Sequence, residues 1–232
     1  MAIRAVFFDL DGTLYDRDAT MVELAHDQFA AFRVHLQPRV DEHRFTTRFI
    51  ELDDHGYTSR SDVYRRLADE FGLDNWLTVD LERHFWEAYG RRCEISADTW
   101  NTLHSLRAAG KSLGIVTNGQ TQWQSRKIEG LGLASMFDVV LISEEEGIRK
   151  PDARIFDRAR ERCGVRRPSE AMFVGDHPEV DVAGSHAAGM VAVWKRVPYW
   201  TMTTKGAIVV DRISEILPTV LAERRLGPAE KC

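Results

Sequence analysis

The stretch Ile3-Arg4-Ala5-Val6-Phe7-Phe8-Asp9-Leu10-Asp11-Gly12-Thr13 decides how this chain reads. An apolar run rich in Val and Phe stops at two aspartates and a glycine, the pattern of a buried strand ending in a turn. The run is too short for a secretory h-region or a membrane span. It delivers two carboxylates to the carboxyl edge of a strand, and in an open α/β sheet that edge is where sites are built.

Helix and strand alternate after Ser96. Trp100, Leu103 and Leu106 make one helical face, Gly110 caps it, and residues 113–116 read as a buried strand. Ile128 and Leu131 precede a strand at 139–142, Ile155 and Ala159 one at 171–174, and Val180 and Ala183 one at 191–194. A weaker strand at 207–210 leads into Ile213, Ile216 and Leu217, with Pro218 interrupting. This spacing predicts an α/β fold with a doubly wound parallel sheet. Residues 19–89 carry only helical period, with stripes at Val22, Ala25, Phe29, Phe32 and Leu36, at Phe45, Phe49 and Leu52, at Val63, Leu67 and Phe71, and at Leu77, Leu81, Phe85 and Tyr89. The expected organisation is a core of residues 1–15 and 97–232 with an all-helical insertion at 16–96 and a frayed polar tail from Glu223 to Cys232.

With 44% apolar and 29% charged residues over 232 positions, the chain has the composition of a folded protein. Its 31 basic and 36 acidic side chains give a net charge of -5, which supplies no cationic surplus for a phosphate backbone and argues against nucleic acid as a partner. Cys93, Cys163 and Cys232 show no metal-ligand spacing, and the 8 histidines form no HExxH pair, so zinc is not indicated. A reducing, cytoplasmic setting and no membrane partner are the expectations. A calcium loop fits poorly, because Gly12 and Thr20 stand where that motif needs other spacing and a Glu.

The strand ends carry the chemistry: Asp9 to Thr13 after the first strand, Thr117-Asn118-Gly119 after the second core strand, and Gly175-Asp176 after the fourth, with Asp181 five residues on. Lys150-Pro151 stands between the third strand and its helix. In order and placement these four segments resemble the signature motifs of the haloacid dehalogenase superfamily, in its phosphohydrolase branch. The resemblance spans Asp9 to Asp181, and the insertion is similar to the family's helical cap in position and composition. Gly114 to Phe156 is similar to the cytosolic 5'-nucleotidase and N-acylneuraminate-9-phosphatase members.

Chemistry supports the same assignment without the family. A phosphate monoester is dianionic and slow to hydrolyse, so a site must supply a nucleophile, neutralise charge and protonate the leaving oxygen. Asp9 is the expected nucleophile, forming an aspartyl-phosphate. Asp11, two residues along the strand and on the same face, is the expected general acid and then base. Carboxylates alone would repel the ester, and a divalent cation among Asp9, Asp11 and Asp176 reverses the local sign; an all-oxygen shell suits magnesium. Lys150 adds fixed positive charge, and Thr117 with the backbone of Asn118 and Gly119 offers donors to phosphoryl oxygens. The resemblance implies that magnesium is held by the Asp9 carboxylate, the Asp11 backbone carbonyl and Asp176. It leaves Asp181 as a further ligand or an outer-shell group that orients Lys150.

The expected function is therefore a magnesium-dependent phosphatase of small phosphate monoesters, in the nucleoside monophosphate or sugar phosphate class, working as monomer or homodimer. A 2-haloacid dehalogenase would not need the acid at Asp11, and a phosphomutase would need a second proton-handling group in the cap that the sequence does not identify. A non-catalytic phosphate binder would not need the Asp9 and Asp11 pair. Three further expectations concern periphery: the polar turn at Asp53, Asp54 and His55 with Arg60 and Ser61 as a source of selectivity, Glu144, Glu145 and Glu146 as a solvated loop, and His177 as a surface histidine.

Overall fold

The computed structural model describes residues 2–201 and 206–222; the expected frayed tail and Cys232 lie outside them. Strand β1 (Ala5–Phe8) is followed by α1 (Arg17–Ala31), α2 (Arg33–Leu36), α3 (Glu42–Asp53), α4 (Arg60–Phe71) and α5 (Asn75–Arg92). Then come α6 (Ala97–Ala108), β2 (Ser112–Thr117), α7 (Thr121–Gly130), β3 (Val139–Ile142), α8 (Ser143–Glu146) and α9 (Ala153–Arg162). The chain continues through β4 (Ala171–Gly175), α10 (Gly184–Ala187), β5 (Val191–Lys195), β6 (Ile208–Val210) and α11 (Leu217–Leu221).

The strands form one parallel sheet in the order β3-β2-β1-β4-β5-β6. All four residues of β1 are buried, and Phe8 lies opposite Ile115 of β2 on one side and Val174 of β4 on the other. A strand covered on both faces needs an unbroken apolar run rather than alternation, which is why residues 5–8 announce it. The core packs Phe7, Val116, Leu141, Ile155, Phe156 and Phe173, with the Phe156 ring edge-on to Phe173 at 4.9 Å between centroids. Gly114 pairs with Phe7, and a Cβ there would come within 2.5 Å of the Phe7 ring, so the glycine makes room for that side chain. The reversal of winding falls between β1 and β4, the crevice where such sheets place ligands. Pro218 does not interrupt a helix; it stands in the first turn of α11, where no backbone N–H is required.

Two compact units divide the chain. The described residues within Met1–Tyr15, Ile95–Gln124 and Gly132–Cys232 build the sheet unit, and Asp16–Glu94 with Ser125–Leu131 build the helical one. In the helical unit Asp16, Asp41 and Ser59 are N-caps whose side chains accept from backbone N–H groups three residues on, which fixes the starts of α1, α3 and α4. Of the stripe expected on α1, Ala25 and Phe29 are buried and Val22 is 39% exposed, and Met21, Leu24 and Gln28 are buried beside them. Gln28 earns its place through hydrogen bonds, donating to the Leu81 carbonyl at 2.6 Å and accepting from the Tyr64 hydroxyl at 2.7 Å. A polar side chain satisfied at both ends is tolerated in a core that period alone would fill with apolar residues.

The polar turn after α3 is partly a structural device. Asp53 is buried and accepts from Arg17 at 2.7 and 2.9 Å and from Arg60. Burial pushes the Asp53 carboxyl up, and the hydrogen bonds and charges of Arg17 and Arg60 outweigh it, holding the group below its ordinary value. The Arg60 guanidinium also lies 3.9 Å from the Phe85 ring centroid. Ser61 donates to Glu82, and His55 pairs with Asp18, so the turn's polar groups are largely engaged within this unit. Removing the Asp53 carboxylate would leave two arginines buried without their shared partner. Asp53→Ala is therefore expected to lower stability by about 3 kcal/mol in urea unfolding at neutral pH. A loss below about 1 kcal/mol would show that the triad does not hold this turn.

Candidate active site

Three adjacent strands, β2, β1 and β4, end at the same edge and bring together the residues singled out from the sequence. The Asp9 backbone N–H donates to the Val174 carbonyl at 2.9 Å, which carries the ladder one residue past β1 and fixes where the carboxylate emerges. Asp9, Asp176 and Asp181 are all buried, and each offers a carboxylate oxygen within 4.8 Å of the others. Lys150, 2% exposed, donates from Nζ to Asp9 Oδ1 at 2.6 Å and to Asp181 Oδ1 at 2.7 Å.

The surrounding residues hold this arrangement in place. Asn118 and Lys150 form a reciprocal pair: Asn118 Nδ2 donates to the Lys150 carbonyl at 3.0 Å, and the Lys150 N–H donates to Asn118 Oδ1 at 2.9 Å. The Asn118 side chain is thus a strut for the lysine. Gly119 uses its N–H to donate to Ser143 Oγ at 3.0 Å. The other Asp181 oxygen accepts from the His177 backbone N–H at 3.1 Å. Asp176 accepts from Thr13 Oγ1 at 3.3 Å and Tyr199 at 3.2 Å, while its carbonyl accepts from Trp194 Nε1 at 2.8 Å. Two glycines are sterically required. Gly12, at φ +80°, would place a Cβ 2.8 Å from an Asp176 oxygen, and a Cβ on Gly175 would fall 2.4 Å from the Asp181 Cβ.

Asp11 accepts from Tyr15 at one carboxylate oxygen and from Gln124 Nε2 at the other, the latter at 2.9 Å. Gln124 also contacts Thr117 Oγ1. The sequence places Thr13 in the first motif without a role of its own, and it does not single out Gln124, Tyr199, or Lys195, whose Nζ donates to the Gly12 carbonyl at 2.7 Å. Gln124 stands one helical turn past Gly119, a position its spacing does not mark. Tyr199 and Lys195 arrive through the end of β5 and its following loop, where no motif signals a function. His177 is half-buried rather than a plain surface residue: its Nδ1 accepts from the N–H groups of Glu179 and Val180, and burial foremost pushes its pKa down. The acidic run is the short helix α8 and not a loop; Glu144 and Glu145 are exposed as expected, and Glu146 is the one drawn inward. Glu146 is tied to Arg158 and Arg162, and Glu144 accepts from the Thr121 N–H at 2.7 Å.

The electrostatics follow from three carboxylates facing one ammonium. Burial pushes Lys150 down, and the charges of Asp181 and Asp9 outweigh it, so its pKa stands above the ordinary lysine value. Burial raises Asp9 well above the carboxylate range; Lys150 opposes, and Asp181, Asp176 and Asp11 add to the rise. Burial and then the Asp181 charge push Asp176 up to about 7. Three buried carboxylates outnumber the one buried ammonium among them, and a divalent cation fits that deficit of positive charge. No described helix is long and apolar enough to cross a membrane.

Comparison with known proteins places the chain. A family model for haloacid dehalogenase-like hydrolases matches residues 3–189, and the chain belongs to that family. It is similar to a phosphoserine phosphatase of Thermus thermophilus, 39% identical over 135 residues, covering 58% of this chain and 53% of that enzyme. It is also similar to a glyceraldehyde 3-phosphate phosphatase of Methanopyrus kandleri, 30% identical over 94% of this chain and 97% of that enzyme. The chain thus spans about half of the first relative and nearly all of the second. Among solved structures, a 2-haloacid dehalogenase from Pseudomonas syringae pv. tomato superposes with a TM-score of 0.61 at 29% identity, covering 94% of this chain and 98% of that one.

The raised Asp176 has a consequence for stability. Its folded pKa of about 7 exceeds the 3.8 of an unperturbed aspartate, so between those values the folded state binds the extra proton. Stability therefore falls as pH rises through that window, and the penalty is complete above it. With divalent ions chelated, Asp176→Asn is expected to raise unfolding free energy at pH 8 by ~1 kcal/mol or more, and to have little effect near pH 4. Equal stability of the two proteins at pH 8 would show that the cluster carries no such repulsion.

Proposed function

We propose that this protein is a magnesium-dependent phosphatase that hydrolyses small phosphate monoesters through an aspartyl-phosphate on Asp9. The family and its phosphatase relatives make the chain a phosphoric monoester hydrolase. The observation that carries the finer reading is the contact of Lys150 with Asp9 inside a buried triad of acids, with Asp11 two residues on.

In this reading an Asp9 oxygen attacks phosphorus in line, the ester P–O bond breaks, and the leaving oxygen takes a proton from Asp11. Asp11, now a carboxylate, takes a proton from water, whose oxygen attacks the same phosphorus. The Asp9–phosphorus bond breaks, phosphate leaves and Asp9 is restored. Lys150 stabilises charge on the phosphoryl oxygens, and Thr117 donates to one of them. Asn118 serves the phosphoryl group through the lysine it holds, and Gly119 by allowing the tight turn. Asp9, the Asp11 carbonyl and Asp176 would hold the magnesium, whose positive charge permits a dianionic ester to approach. Asp181 fits the outer role better than the ligand role, because its oxygens accept from the Lys150 ammonium and the His177 backbone N–H, whereas those of Asp176 accept from two hydroxyls at longer distance.

Asp11 also separates this chemistry from dehalogenation. A halide leaves as a stable anion without a proton, whereas an alkoxide does not, and an acid placed beside the nucleophile is useful only in the second case. Among substrates, the relatives' phosphoserine and glyceraldehyde 3-phosphate support a small, polar alcohol as the leaving group, in the sugar phosphate class.

A phosphate-release screen with magnesium over phosphoserine, triose and pentose phosphates and nucleoside monophosphates tests the reading, with Asp9→Asn as its control. The variant is expected to lose at least ~10³-fold in kcat while melting no lower than the parent with chelator present. Activity within ~10-fold of the parent, or full activity of the parent after exhaustive chelation, would refute it.

A further inference from the structure

Gln124 touches the proposed acid/base and the proposed phosphate donor at once. It lies in α7, is 3% exposed, and points Nε2 at three acceptors: Asp11 Oδ2 at 2.9 Å, the Asn118 carbonyl at 3.2 Å, and Thr117 Oγ1. The Asn118 backbone carbonyl only accepts, and so does the Asp11 carboxylate once it has given up its proton, so the amide must present its NH2 end to this cluster and not its oxygen. A hydroxyl that accepts from an N–H cannot spend its own hydrogen on the same partner. The hydrogen of Thr117 is thereby left for another acceptor.

A second observation ties Gln124 to the turn itself. Gly119 has φ +154°, and a Cβ there would come within 2.9 Å of Gln124 Cγ and 3.0 Å of Cδ. The side chain of Gln124 lies across the Gly119 backbone, so the glycine of the Thr117-Asn118-Gly119 turn is needed to seat the glutamine. Tyr15 donates to the other Asp11 oxygen, and Gln124 links the Asp11 carboxyl to the end of β2.

We propose that Gln124 is a positioning residue of the phosphoryl-transfer site, which aims the Asp11 carboxyl and commits Thr117 to donate to the substrate. The inference rests on the phosphatase reading above, in which Asp11 protonates the leaving group. Its signature is dependence on the leaving group. An alkyl phosphate needs the proton from Asp11, whereas 4-nitrophenolate departs without much help. Losing the aim of Asp11 must therefore harm the first ester more than the second, and kcat/KM isolates the step in which that bond breaks.

The test compares the full chain with Gln124→Met, which keeps the length and loses the donors, on glycerol 3-phosphate and 4-nitrophenyl phosphate with magnesium. For the variant, kcat/KM on the alkyl ester is expected to fall ~30-fold or more, and by at least ~10-fold more than on the nitrophenyl ester. Gln124→Glu, equal in size but offering acceptors where donors are needed, is expected to show the same preferential loss, and it serves if the methionine variant melts early. A change below ~3-fold on the alkyl ester, or an equal loss on both esters, in a variant that melts like the parent overturns the assignment. A parent that releases phosphate from neither ester, or an Asp9→Asn variant that still does, overturns the phosphatase reading itself, and that outcome is distinct because it appears before Gln124 is changed.

Discussion

Three buried carboxylates converge on one buried ammonium, and the rest of the sheet unit is arranged so that they stay there. Asp9, Asp176 and Asp181 repel one another, and burial removes the water that would screen them. Lys150 offsets part of that repulsion and is itself fixed at both backbone ends of its peptide by Asn118. The remaining charge is distributed over donors that cost the fold little: the Thr13 and Tyr199 hydroxyls on Asp176 and the His177 N–H on Asp181. Gly12 and Gly175 follow from the same constraint, since any side chain there would occupy the space the carboxylates need.

The sheet explains why such a cluster is assembled at this place. In the order β3-β2-β1-β4-β5-β6 the chain leaves β1 towards opposite sides in its two halves, so residues just beyond β1, β2 and β4 face a crevice that no crossover fills. Asp9, Thr117 and Asp176 are each within one residue of a strand end, on backbone already fixed by the ladder. Positioning by strand termini gives the carboxylates a rigid frame, which lets like charges be held within 4.8 Å where a loop would relax apart.

The same geometry accounts for what could be read from the sequence. Central parallel strands demand continuous apolar runs, so β1 to β5 were legible to within about two residues, and the acids stood out as the residues that end those runs. Side chains that reach the site from elsewhere left no such mark. Gln124 projects from a helix whose period reports packing, and Tyr199 comes from a loop with no period at all. Buried polar residues were misjudged for a related reason. Gln28, Asp53 and Glu146 are polar letters that a pattern assigns to solvent, and they are inside because specific partners satisfy them. Partnering is a property of the fold, so it becomes visible only once distant segments are placed together.

The asymmetry between Asp176 and Asp181 is the last consequence of the shared lysine. Asp181 faces an ammonium on one oxygen and a backbone N–H on the other, and the backbone donor cannot move away without unwinding the turn at Pro178–Ala183. Asp176 faces two hydroxyls at 3.2 and 3.3 Å, which rotate freely and bind weakly at that length. An incoming cation can therefore displace the donors of Asp176 at small cost, whereas it would have to break a charge-assisted pair to recruit Asp181. In the proposed reading this divides the labour between two acids that the sequence presents as equivalent. Asp176 is the ligand in reserve, and Asp181 keeps Lys150 charged and aimed at Asp9, so that the nucleophile and its electrostatic partner are set before the substrate arrives.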